Sequence, residues 1–138
     1  MSQQGGYEMK LKTVFTVNYL IGFLFGVGFI FLPKIFMPLL GWSVAGDAPL
    51  VTRGLGIFII GIAVLTYYAR DSSKSEARRA IVLSLFAVYV LLTLFKISWL
   101  LLFGIPFTWL QAFLYVVHIG LAAAYGYFLF GGPREIDS

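Results

Sequence analysis

The sequence predicts an all-α integral membrane protein, a four-helix bundle of up-down-up-down topology, and three observations carry that expectation. First, 60% of the 138 residues are hydrophobic and only 12% charged, with a mean hydropathy of +0.92, too little polar surface to cover a water-soluble domain. Second, the apolar residues gather into four stretches, at about 11–32, 50–69, 80–103 and 107–130, each long enough at about 1.5 Å per residue to cross a hydrocarbon core of roughly 30 Å. Third, the basic residues flank these stretches, a distribution that points to orientation in a membrane and away from nucleic-acid binding. Residues 1–138 therefore read as a single transmembrane domain.

The first span follows "YEMKLK". Its apolar run is longer than that of a secretory signal and no A-x-A-like cleavage site follows, so it is expected to stay attached. The connection after it, "LPKIFMPLLGWSVAGDAPL", has prolines at 33, 38 and 49 and glycines at 41 and 46. These forbid a continuous helix and predict a short interfacial segment between helices one and two. In the second connection, "RDSSKSEARRA", Ser73 and Glu76 have capping-box spacing, so the third helix is expected to start in water and enter lipid near Ala80. The third connection is only "GIP", which forces spans three and four into a tight antiparallel hairpin.

Seven basic residues (Lys10, Lys12, Arg70, Lys74, Arg78, Arg79 and Arg134) fall on one side of this topology, and Lys34 and Arg53 on the other. The positive-inside rule then predicts that both termini and the central loop lie in the cytoplasm. Trp42, Trp99 and Trp109 fall toward the outer ends, as an aromatic belt would. Small residues at Gly22 and Gly26, Gly54 and Gly61, and Ala122 and Gly126 suit close helix packing within the chain.

Polar groups inside the spans are the strongest functional pointers, because lipid offers them no hydrogen-bond partners. They are Asn18, Arg53, Lys96, Gln111 and His118, with Tyr89, Thr93 and Tyr115. Folding about the turn near residue 105 brings Lys96 to the depth of Leu114 or Tyr115. Gln111, Tyr115, His118, Ala122 and Tyr125 share one helix face, and Tyr89, Thr93 and Lys96 share another, so two semi-polar stripes can oppose each other. No Asp or Glu lies in any span. The ammonium of Lys96 must find the Gln111 amide, the Tyr115 hydroxyl, a backbone carbonyl, water or an anion from outside the chain. Its side chain leans inward, away from the nearer water, which lies about 10 Å off. Lys96, Gln111, Tyr115 and His118, with Arg53, are accordingly the expected ligand-binding residues. Arg53 sits in the first turn of its helix, where it can reach outer water or phosphate, with Asp47 as counter-ion or helix cap. His118, the only histidine, reads as a hydrogen-bonded packing residue in preference to a haem or pigment ligand, and Asn18 as interhelical glue.

The absence of cysteine removes disulfides, thiolate nucleophiles, iron–sulfur clusters and quinone-reducing thiols. The absence of a membrane carboxylate argues against a proton-coupled exporter. The second span lacks the Asn and Glu of the membrane glutathione-transferase type, and no connection looks like an ion-selective filter. No catalytic residue, cofactor or metal is expected.

The run "FLPKIFMPLLGW" followed by "TRGLGIFIIGIAVLTYYAR" resembles the pattern of small prokaryotic four-span membrane proteins of uncharacterised function, broadly DoxX-like. The resemblance covers the four-span plan and the Pro/Gly punctuation of the first two helices and carries over no catalytic residue. It implies a bacterial or archaeal inner membrane and a compact bundle. From the residues, the leading expectation is a non-catalytic accessory or assembly subunit of a larger membrane complex, whose partners are the bilayer and a membrane protein or a second copy. The alternative is a binding protein for an anionic or carbonyl-bearing lipid, isoprenoid or quinone-like ligand in an outer-leaflet pocket. A third reading is a small transporter, or a membrane enzyme using neutral Lys96 or His118 as a base.

Overall fold

The computed structural model describes residues 3–73, 75–104 and 107–131, and every regular element among them is helical. Helix α1 spans Gln3–Phe31, and it stops where proline dictates: Leu32, crowded by the Pro33 ring, leaves the helical region at φ −125°, ψ 42°. Pro33, with no N–H to lose, opens the short helix α2, Pro33–Leu39. That helix closes through a Schellman turn in which Gly41 takes φ +69° and the amides of Gly41 and Trp42 donate to the carbonyls of Pro38 and Met37. The segment expected to lie in the interface is thus a docked helix. Pro33 and Met37 face inward, and the Phe36 ring fills the space over Gly28, where a Cβ would stand only 2.5 Å from it.

Helix α3 runs Ala48–Asp71 behind Pro49 in its first turn. Asp47 holds the N-cap position, but its side chain makes no capping bond and no ion pair joins it to Arg53 among the described residues. Helix α4 covers Glu76–Phe103, and its cap is Ser75, whose Oγ accepts the Arg78 N–H at 3.2 Å; the expected cap, Ser73, lies two residues too early. Gly104 ends it at φ +58°. Helix α5, Trp109–Gly126, begins under Thr108 and continues as a π-helical turn, Tyr127–Gly131. Part of the "GIP" connection, residues 105 and 106, lies outside the described residues, as do Lys74 and Arg134.

Four helices, Lys10–Phe31, Ala48–Asp71, Glu76–Leu102 and Trp109–Gly131, are long and apolar enough to cross a membrane. Their outward faces are apolar too: Phe31, Tyr68, Leu101 and Leu102 are each more than 70% exposed. This is a multi-pass membrane protein, since only lipid makes such a surface stable.

Packing is closest between α1 and α3. A Cβ on Gly26 would stand 2.7 Å from Ile60 and one on Gly56 2.8 Å from the Gly26 carbonyl, so two backbones nearly touch where neither residue carries a side chain. Gly22 and Gly26 therefore serve intrachain packing, but against Ala63 and Gly56 respectively; Gly54 and Gly61 face open space. On the other pair, Gly126 admits the Phe86 ring of α4. Two apolar clusters join the pairs. One takes Leu11 and Phe15 from α1, Ala69 from α3, Val82, Leu85 and Tyr89 from α4, and Leu121 and Tyr125 from α5. The other, toward the opposite end, joins Phe25 and Phe29 to Leu40 and Leu110.

Candidate functional site

Several polar groups of the spans meet in the interior. At its centre Asn18 is 2% exposed on α1 and bridges two tyrosines. The Tyr89 hydroxyl of α4 donates to Asn18 Oδ1 at 2.5 Å, and Asn18 Nδ2 donates to the Tyr125 hydroxyl of α5 at 2.8 Å. The two tyrosine rings stack 6.1 Å apart at 10°. One amide thus ties three helices, a use that lipid surroundings favour because the alternative is three unsatisfied polar groups. Sequence reasoning identified Asn18 as glue and put Tyr89 and Tyr125 on inward stripes. That both tyrosines converge on it depends on three helices at once, and no local pattern signals it.

Toward one end, His118 packs its ring 5.5 Å from that of Tyr89, and its Nδ1 is buried without a hydrogen-bond partner. The expectation of a hydrogen-bonded histidine is not met at that nitrogen. One turn further, Lys96 Nζ lies 5.5 Å from the centre of the Tyr115 ring, whose other neighbour is Phe107 at 5.9 Å. Lys96 is partly buried, and among the described residues no carboxylate reaches it. A ring face attracts a cation by its quadrupole but cannot neutralise it. Thr93, on the same stripe, donates back to the Tyr89 carbonyl at 2.7 Å and is closed on its own helix.

The other two expected residues stand apart. Gln111 turns away from Lys96: its Nε2 donates to the Leu40 carbonyl at 2.5 Å. Beside it, Thr108 donates to the Leu39 carbonyl at 2.7 Å while accepting the Gln111 N–H at 3.2 Å. Together they cap two carbonyls that the end of α2 leaves without helical partners. Thr108 went unnoticed in the sequence, although "TWLQ" has the T-x-x-Q spacing of a capping box; here the glutamine reaches α2 and not its own N-cap. Arg53 is exposed on α3 with no hydrogen bond to Lys96, Tyr115 or His118 among the described residues. The five-residue set thus contracts to Lys96, Tyr115 and His118, with Tyr89 beside them.

At the opposite end the basic residues divide. Lys10, Lys12 and Arg79 are exposed, but Arg78 is 4% exposed and holds its guanidinium 5.9 Å from the Phe15 ring. Arg70 forks onto Asp71 at 2.8 and 2.6 Å while lying over Tyr67, and Lys12 reaches Asp71 at 3.4 Å, linking α1 to α3 at the membrane edge. Among the described residues no three His, Cys, Asp or Glu side chains cluster as metal ligands would. Comparisons with protein-family models, with curated proteins and with solved structures gave no match.

Proposed function

We propose that the protein is a non-catalytic integral membrane protein, an accessory or assembly subunit that packs against a larger membrane partner. The observation that carries this reading is the use made of the intramembrane polar groups. Asn18, Tyr89, Tyr125, Thr108 and Gln111 are spent on holding helices together. A face for a partner is supplied by Gly54 and Gly61, two turns apart on α3, where an added Cβ would meet nothing within 4 Å. The chain traverses the membrane as an up-down-up-down bundle with both termini cytoplasmic. The descending contacts Tyr19–Tyr67, Gly22–Ala63 and Gly26–Gly56 support opposed directions for α1 and α3, and Lys96–Tyr115 with Phe86–Gly126 support the same for α4 and α5. A photo-cross-linker at position 57, exposed one turn from Gly61, is expected to capture a second membrane protein species, and Gly61→Leu to weaken that capture in a chain that still folds. Purification as a homo-oligomer alone, with no cross-linked partner, overturns the reading.

A second reading rests on Lys96. A cation set against Tyr115, with no acid within reach among the described residues and the unpartnered Nδ1 of His118 a turn away, suits the anionic or carbonyl headgroup of a lipid, isoprenoid or quinone-like molecule in the outer leaflet. Lys96→Met is expected to lower the content of co-purified anionic amphiphile. Unchanged content together with unchanged thermal stability defeats this reading.

A further inference from the structure

A groove of about 270 Å³ runs between α1 and α5, from the depth of Val116 and Val117, beside Tyr115 and His118, toward the end that carries Lys10. It exists because α1 lies against α3 and α5 against α4, while the facing residues between the pairs are short. Val14, Val17 and Ile21 form one wall, and Val116, Gly120 and Ala124 the other. A Cβ on Gly120 would meet nothing within 4 Å, so the floor is open where a larger side chain would have closed it.

Residues 13–21 rise about 12 Å, so the groove extends about that far along α1. A single hydrocarbon chain fits, and in a bilayer it is the material that fills an apolar cleft lined this way. The inner mouth carries a charge of the right sign. Lys10 precedes Val14 by four residues, Val17 by seven and Ile21 by eleven, so it continues the same stripe of α1. It is exposed and takes part in no ion pair among the described residues, whereas Lys12 is engaged with Asp71 at 3.4 Å.

We propose that this groove is a resident site for one anionic phospholipid, with an acyl chain lying between Val17 and Gly120 and the phosphate at Lys10. This site lies against α1 and requires neither the Lys96 ammonium nor a protein partner.

The test uses the full chain reconstituted in bilayers of equal phosphatidylglycerol and phosphatidylcholine, extracted in mild detergent and weighed by native mass spectrometry. The wild-type chain is expected to retain one phosphatidylglycerol in this groove, and Lys96→Met to retain it as well. Gly120→Leu fills the groove and should lose it with thermal unfolding unchanged. Lys10→Gln should keep a lipid but lower the preference for phosphatidylglycerol about five-fold, the effect of one basic residue near a membrane surface. Full retention by Gly120→Leu, an unaltered preference in Lys10→Gln, or a lipid-free dimer whose interface Gly120→Leu disrupts would each overturn the proposal. Should Gly120→Leu not fold, Ala124→Leu closes the same groove and is expected to give the same loss.

Discussion

Asn18 shows what a single amide does when its solvent is hydrocarbon. Its carbonyl and amino groups take one tyrosine each, and neither tyrosine has water as an alternative. Asn18→Leu leaves both hydroxyls unsatisfied and should cost about 1–3 kcal/mol, read from unfolding in mixed micelles. Tyr125→Phe removes the acceptor of one bond, leaves a single Asn18 N–H unpaired and should cost about 1 kcal/mol. Equal losses from the two variants would show that Asn18 does not bridge. Lys96 is the contrasting case, a cation to which the described residues offer a ring face and no acid, which is why the ligand reading rests on it and the architectural reading rests on Asn18.

Helices meet here through two devices, missing side chains and borrowed caps. At the α1–α3 crossing the obstacle to a Cβ on Gly56 is the backbone oxygen of Gly26, which cannot rotate aside. Gly56→Ala should therefore separate the helices and cost about 1–3 kcal/mol. Gly61→Ala, open to its surroundings, should gain up to about 1 kcal/mol in helix propensity. The same unfolding assay compares the pair, and a neutral Gly56→Ala would refute the close crossing. The cap is the latch of α5 on α2: Thr108→Val exposes the Leu39 carbonyl and should cost about 1 kcal/mol. Faster hydrogen exchange confined to 33–42 is the expected sign, and uniform acceleration along the chain would place the effect elsewhere.

Across the whole molecule, apolar surface holds the chain in the bilayer, and the flanking charges carry its proposed orientation. Because the chain has no cysteine, single cysteines report sidedness directly. In intact cells a membrane-impermeant maleimide should label Ala45→Cys and spare Ser73→Cys until the membrane is opened. The reverse pattern would invert the proposed orientation. The buried Arg78 bears on the same balance, since a guanidinium held against Phe15 is an interior group as well as a flanking charge.

Four apolar runs, their flanking charges and the proline after the first span were sufficient in the sequence to define the helices, because length in lipid and the geometry of proline are properties of local chain. Boundaries were less legible: Ser73 and Ser75 both suit a cap, and which one serves depends on where the helix begins. The depth match of Lys96 with Tyr115 was legible too, because a short turn between two helices makes register a matter of counting. What only the tertiary structure decided is which way each polar side chain turns. Gln111 shares a helix face with Tyr115 and His118, yet its amide is claimed by a carbonyl 71 residues away, at the end of a helix whose docking no local periodicity encodes. Gly56 rather than Gly54 or Gly61 meets α1 for the same reason: a seven-residue spacing marks a stripe, but the crossing helix selects the stripe it covers.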